Sequence, residues 1–214
     1  GSEMCIRDRN FSKCIDLIID CKGTVIISGI GKSGNIGKKI TSTLASLGTP
    51  SIFLHTSDAF HGDLGILRRD DLLICISNSG ETDELVRLLN YANKNSVKSI
   101  AITGKLDSTL NKKATCFLNA VVENEACPLN LAPTCSTSVT MALGDALASI
   151  CAMERGFKEN DFARFHPSGN LHKLNFEIVD NIMNTQFLPI CEKDKSIKEI
   201  IIDISRGQQG AVFI

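Results

Sequence analysis

Five short runs of aliphatic and β-branched residues alternate with amphipathic stretches between Thr24 and Gly156, and this alternation restricts the chain to a parallel sheet covered by helices. The runs are Thr24 to Ser28, Ser51 to Leu54, Leu72 to Ile76, Lys98 to Ile102 and Thr115 to Asn119. Between the first two, Ile36, Ile40, Thr43, Leu44 and Leu47 share one helical face, and Gly48 supplies a stop. Between the third and fourth, Leu85, Leu88, Leu89 and Ala92 recur at i, i+3, i+4 and i+7. A long helix is expected from about Thr134 to Arg155, closed by Gly156. The expected fold is α/β, a doubly wound parallel five-stranded sheet with helices on both faces. In such a sheet a ligand sits at the carboxyl ends of the strands, which selects the loops to examine.

A chain of 214 residues holds one full domain and part of a second. From about Leu174 the pattern changes: Ile178 to Asn184, Pro189, a helix from Ser196 to Ile204 and the run Gly207 to Ile214 read as the start of a small β-α-β module. The expected domains are residues 10–173 and 174–214, with the boundary near Lys173. Residues Gly1 to Arg9 read as a processing remnant or tail, and the strand-like end at Ala211 to Ile214 reads as a chain cut short. A net charge of -1 leaves no basic footprint for nucleic acid. The most apolar stretch, Met141 to Met153, is interrupted by Gly144 and Asp145, so no unbroken run reaches the roughly 18–20 residues of a bilayer span. Nine scattered cysteines without a C-x-x-C pair point to reduced thiols and a cytoplasmic location, with Cys75 and Cys151 as buried small hydrophobes.

After the first strand comes Gly29-x-Gly31-x-x-Gly34 and a helix, the spacing of a dinucleotide fingerprint. Its confirming acid, about 20 residues on, is absent, since Leu54 and His55 stand there. A Walker loop fails as well, because Ile26 occupies the leading glycine position before Gly31-Lys32-Ser33. What remains is a tight turn presenting N–H groups at a helix start, or a glycine turn needed only for packing. Lys32 opposes the positive end of that helix dipole and calls for an anion nearby.

After the third strand, Ser77, Asn78, Ser79 and Thr82 load a second strand-to-helix junction with hydroxyls. With the free N–H groups of the new helix they form a neutral cradle for a phosphate dianion. Ordinary N-capping uses one Ser or Asn, not three hydroxyls within six residues.

Gly31-Lys-Ser-Gly34, His61-Gly-Asp-Leu-Gly65, Ile76-Ser-Asn-Ser-Gly-Glu-Thr82, Glu125-Ala-Cys-Pro-Leu-x-Leu-Ala-Pro-Thr-x-Ser-Thr137 and Gly144-Asp-Ala-Leu147 occur in that order. This ordered set resembles the arabinose 5-phosphate isomerases, over nearly all of residues 23–173. The resemblance implies a sugar isomerase (SIS) domain that interconverts D-ribulose 5-phosphate and D-arabinose 5-phosphate through an enediol and supplies Kdo biosynthesis, for lipopolysaccharide or capsule. It further implies a truncated CBS module in the tail and a homotetramer; the charge and apolar patterning above point to no nucleic-acid or membrane partner. The leading helix of the family is expected to be missing or replaced by the first ten residues.

Carried over by position, the resemblance implies catalytic Lys32, Glu84, Glu125 and His166. It implies substrate contacts at Gly31, Ser33, Gly48, Thr49, His55, His61, Ser77, Asn78, Ser79 and Thr82. Aldose–ketose isomerisation needs ring opening, a proton moved between neighbouring carbons and a steadied enediolate, so acid–base groups suffice and no cofactor is required. Glu125 is the leading base, expected to be partly desolvated beside the Pro128 to Pro133 stretch; its alternative is a solvated loop carboxylate. Glu84 is a second acid–base group or a first-turn carboxylate favourable to its helix. His166 is suited to ring opening and proton shuttling, although a lone His before Pro is more often structural. In the sequence His166-Pro-Ser-Gly169, Ser168 replaces a usual glycine and bears on the placement of that turn. Lys32 stabilises developing charge or orients Glu84 by pairing with it. Zinc held in the family at the position of His55 reads as adventitious or inhibitory, because no nearby carboxylate or cysteine completes a ligand set. The competing reading is a non-catalytic sugar-phosphate-binding regulator on the same fold.

Overall fold

The computed structural model describes residues 9–166, 190–207 and 210–213. The chain divides into two compact units, residues 1–166 and 167–214. The expected boundary near Lys173, the turn at Ser168 and the segment from Ile178 to Pro189 lie outside the described residues.

The first described helix of this unit, absent from the expected elements, is α1 (Arg9–Ile19), which buries Phe11, Cys14 and Ile18 on one face. Their spacing of three and four residues carried the signal. The strands are β1 (Val25–Gly29), β2 (Ser51–Phe53), β3 (Leu72–Ser77), β4 (Lys98–Thr103) and β5 (Cys116–Asn119), within about one residue of the expected runs. They form one sheet of order β2-β1-β3-β4-β5, and every pairing is parallel. The order reverses direction between β1 and β3, the switch point where open α/β sheets bind their ligands.

The helices between strands are α2 (Gly31–Ser46), α3 (Thr56–Ala59), α4 (Asp83–Lys94) and α5 (Thr109–Lys113), and α6 (Cys135–Glu154) and α7 (Glu159–Phe165) follow β5. Strand side chains alternate between faces, and each set finds its own helices. Ile27, Leu72, Ile74, Ile100 and Leu118 pack with α1, α2 and α6, through Phe11, Ile40, Leu44, Leu143 and Leu147. Ile26, Leu73, Cys75 and Ala101 pack under α4 and α5 through Leu85, Leu88, Leu89 and Leu110. The doubly wound expectation therefore holds. Helix α6 has the length and apolarity of a membrane span, yet Leu143, Gly144, Leu147, Ala148 and Cys151 are buried in the core it covers.

Helices α2 and α6 lie side by side: a Cβ at Gly144 would collide with Ile40, and Lys39 pairs with Asp145. Their contact matters because both helices start at the carboxyl edge of the sheet.

In the second unit, Ile190 and Phe213 form a parallel bridge around α8 (Ile197–Gly207). Glu199 accepts from Ser196 N at 2.9 Å and from its hydroxyl at 2.6 Å, fixing the start of that helix. Chain order in this unit is thus a bridge residue, a helix and the partner of that bridge.

Candidate active site at the sheet switch point

The turn after β1 is built by close approach. Gly34 N donates to Ile30 O at 3.2 Å, and a Cβ on Gly34 would fall 2.7 Å from the Gly29 carbonyl, so strand and helix meet here only through glycine. Gly31 takes the left-handed φ of +57° with open space around it. Two glycines thus serve packing, while Gly31 leaves the start of α2 accessible. Lys32 and Ser33 follow on its first turn; Lys32 is exposed and Ser33 half-buried.

The turn after β3 is a network of hydroxyls. Ser77 is buried, and its Oγ accepts from Gly80 N at 3.0 Å, lies 2.8 Å from Thr82 Oγ1 and 3.4 Å from Ser79 Oγ. Ser79 Oγ accepts from Glu81 N at 3.2 Å. Gly80, at φ +65°, is pressed against Ser108, and its carbonyl accepts from Leu110 N at 3.1 Å. Asn78 is held by its backbone carbonyl, which accepts from Gly104 N at 3.0 Å. The loop is thus fixed from β4 and α5, which preorganises the three hydroxyls at the start of α4.

A third junction joins these two. Residues 124–134 close into a loop in which Cys127 Sγ accepts from Leu131 N and Ala132 N, and Glu125 N donates to Asn130 Oδ1 at 2.6 Å. Glu125 Oε2 accepts from Thr134 N at 2.7 Å, Thr134 Oγ1 at 3.0 Å and Ser136 N at 3.2 Å. The carboxylate therefore caps α6 from nine residues upstream.

The expected desolvation of Glu125 is outweighed here. The adjacent Ser136 hydroxyl, and after it the Thr134 N–H, pull its pKa down to about 2 against the opposing effect of burial. That hydroxyl lies near enough to favour the charged carboxylate but outside hydrogen-bonding geometry. No described residue satisfies it.

One cleft of about 30 Å³ is lined by Ser33 and Ile36 of α2, Asn78 after β3, and Pro133, Ser136, Thr137 and Thr140 at the start of α6. Three loop-to-helix junctions thus converge on a common space. Ser136, Thr137 and Thr140 had no assigned role in the sequence reading. Their signal was a run of hydroxyls at the start of a long helix.

Other expected site residues fall elsewhere. Glu84 is exposed on the first turn of α4, and among the described residues no ion pair joins it to Lys32. His55 follows β2 and caps α3, its Nδ1 accepting from Ser57 N at 3.3 Å; His61 is exposed beyond α3. Among the described residues no three His, Cys, Asp or Glu side chains gather as a metal site, at His55 or elsewhere.

Gly48 and Thr49 are carried to the opposite edge of the sheet, because the 16 residues of α2 advance the chain roughly 24 Å. There Thr49 is buried, its hydroxyl accepts from Arg155 Nη1, and Arg155 Nη2 donates to Ile18 O at 2.9 Å. Gly48 lies under Phe157, whose ring stacks on Phe165 at 6.1 Å. His166 follows directly, stacked on Phe162 at 3.9 Å with Nδ1 2.8 Å from Phe162 O. One chain therefore gathers Gly31, Ser33, Ser77, Asn78, Ser79, Thr82 and Glu125 at the carboxyl edge. It leaves Gly48, Thr49 and His166 at the amino edge.

Known proteins resemble this chain in sequence and fold. Residues 17–150 match the SIS domain family model. The chain is 48% identical over 204 residues to an arabinose 5-phosphate isomerase, KpsF, of Escherichia coli O6:H1, with 95% of this chain and 62% of the relative aligned. It is 44% identical to a probable arabinose 5-phosphate isomerase of Haemophilus influenzae, covering 96% of this chain and 60% of the relative. The chain thus spans somewhat under two thirds of the length of these curated relatives. A solved structure of an E. coli CFT073 protein in complex with arabinose 5-phosphate superimposes with a TM-score of 0.73 at 39% identity, covering 78% of this chain and 89% of that one. The chain belongs to the SIS domain family.

Proposed function

We propose that the chain is the catalytic part of an arabinose 5-phosphate isomerase, interconverting D-ribulose 5-phosphate and D-arabinose 5-phosphate through an enediol. The observation that carries this reading is the convergence of Ser33, Asn78 and the start of α6 on one cleft, beside the hydroxyl cradle of Ser77, Ser79 and Thr82. The 48% identity to a relative bearing that name supports the choice of sugar.

The phosphoryl group docks on the serine loop, where hydroxyls and helix N–H groups meet a dianion without a countercharge. Lys32 steadies charge on the sugar oxygens. Glu125 moves the proton, which requires its capping bonds to loosen when substrate arrives, because a carboxylate with a pKa of about 2 is a poor base at neutral pH. Glu84 is the second acid–base candidate. His55 and His61 bind sugar hydroxyls, and neither a metal nor a cofactor is assigned a step.

His166, Gly48 and Thr49 act across a subunit boundary in this reading: a homotetramer sets the amino edge of one copy against the carboxyl edge of another. The location proposed is the cytoplasm, in keeping with the unbridged thiols of Cys21, Cys75, Cys127, Cys135, Cys151 and Cys191. The product feeds Kdo synthesis for lipopolysaccharide or capsule, and the second unit is read as the opening of a CBS module. Incubation with D-ribulose 5-phosphate tests the reading. Formation of D-arabinose 5-phosphate supports it, and binding without turnover across a panel of ketose phosphates favours a regulatory module instead.

A further inference from the structure

Ser136 is 97% shielded from solvent, counting from its 3% exposure, and its hydroxyl has no hydrogen-bond partner among the described residues. An orphaned buried hydroxyl destabilises a fold, which ordinarily avoids it by supplying a partner or replacing the residue with alanine. Here the orphan borders a cleft between the starts of α2 and α6, whose lining also carries the polar side chains of Ser33, Asn78, Thr137 and Thr140. It is also one of only two such side-chain atoms among the described residues; the other, Thr56 Oγ1, lies on the short helix after β2.

Charge selects what can enter the cleft. The ionised Glu125 lies against Ser136 through the Ser136 N–H at 3.2 Å, so a second anion is disfavoured there. The neutral hydroxyl loop at Ser77, Ser79 and Thr82 takes the anionic end, and the cleft takes a neutral oxygen-bearing end.

We propose that this cleft receives the non-phosphorylated end of a sugar phosphate, with Ser136 as the hydroxyl that hydrogen-bonds its carbonyl or hydroxyl oxygen. The assignment rests on the sugar-phosphate reading above and adds a specificity-determining residue to it.

The test is calorimetric titration of the full chain, wild type and Ser136→Ala, with D-arabinose 5-phosphate and separately with inorganic phosphate. The expected result is a Kd for the sugar phosphate raised about ten-fold in the alanine variant, with the inorganic phosphate Kd unchanged within about two-fold. Ser136→Thr, which keeps a hydroxyl, should stay within a few-fold of wild type for both ligands. Equal sugar-phosphate affinity in wild type and Ser136→Ala overturns the proposal, as does an equal loss for both ligands. Failure of the wild type to bind D-arabinose 5-phosphate at all overturns it too. If the split in affinity appears but wild type turns nothing over, the isomerase reading fails and the binding role of Ser136 stands.

Discussion

Glu125 Oε2 accepts the Thr134 N–H at 2.7 Å, so a carboxylate from the loop after β5 closes the N-terminus of α6. The residue proposed to move the proton is therefore also a helix cap. Glu125→Gln should abolish turnover while leaving sugar-phosphate affinity within a few fold, since no binding group of the serine loop is touched. It should also lower Tm by a few degrees through the weakened cap. Steady-state rates, titration and thermal melts on the same preparation read all three. Turnover equal to wild type removes Glu125 from the chemistry.

The depressed carboxyl gives stability a defined pH dependence. With a folded pKa of about 2 against an ordinary 4.5, the charged cap contributes fully above pH 4.5, and its contribution is lost as pH falls toward 2. Melting curves should show the wild type losing Tm across that window more steeply than Glu125→Gln, which has no proton to take up. Parallel curves for the two proteins would contradict the assignment.

Ser77 and Ser79 should separate by stability although both belong to the cradle. Ser79 is exposed, and Ser79→Ala should weaken phosphate binding about ten-fold with Tm nearly unchanged. Ser77→Ala leaves the buried Gly80 N–H without its acceptor and should lower Tm as well as affinity. Titration with inorganic phosphate beside thermal melts checks the pair, and a stable Ser77→Ala would show that the loop does not depend on that bond.

Mixed oligomers test whether His166 serves another copy. Glu125→Gln and His166→Gln chains, each inactive alone, should regain activity when unfolded and refolded together, approaching about a quarter of wild-type sites if chains assort at random. No recovery would place His166 within its own chain's site or outside the chemistry.

Gly34→Ala probes the meeting of β1 and α2. The added methyl would lie 2.7 Å from the Gly29 carbonyl, so the first turn of α2 must shift, at a cost of about 1–3 kcal/mol. Lower Tm together with weaker sugar-phosphate binding is expected, because Ser33 rides on that turn. Unchanged Tm would mean that the turn relaxes freely.

The sheet was legible because β1, β3 and β4 are buried along nearly their whole length and read as continuous apolar runs. Helix α1 is less legible, because Phe11, Cys14 and Ile18 follow charged residues that read as a tail. The serine and glycine loops were legible as strand-to-helix junctions with unusual composition. Two things were not. The length of α2 separates Gly48 and Thr49 from the loop that precedes it, a consequence of three-dimensional rise that motif order does not display. The state of Glu125 depends on bonds from Thr134 and Ser136, residues whose spacing from it carries no local periodicity.

The central proposal is a proton moved between adjacent carbons of a bound sugar phosphate, and solvent exchange reads it directly. Incubated with D-ribulose 5-phosphate in deuterated water, the protein should yield D-arabinose 5-phosphate carrying solvent deuterium at the second carbon, visible by NMR and mass spectrometry. Product formed without deuterium would contradict an enediol with solvent-exchanging acid–base groups, and absence of any product would contradict the isomerase itself.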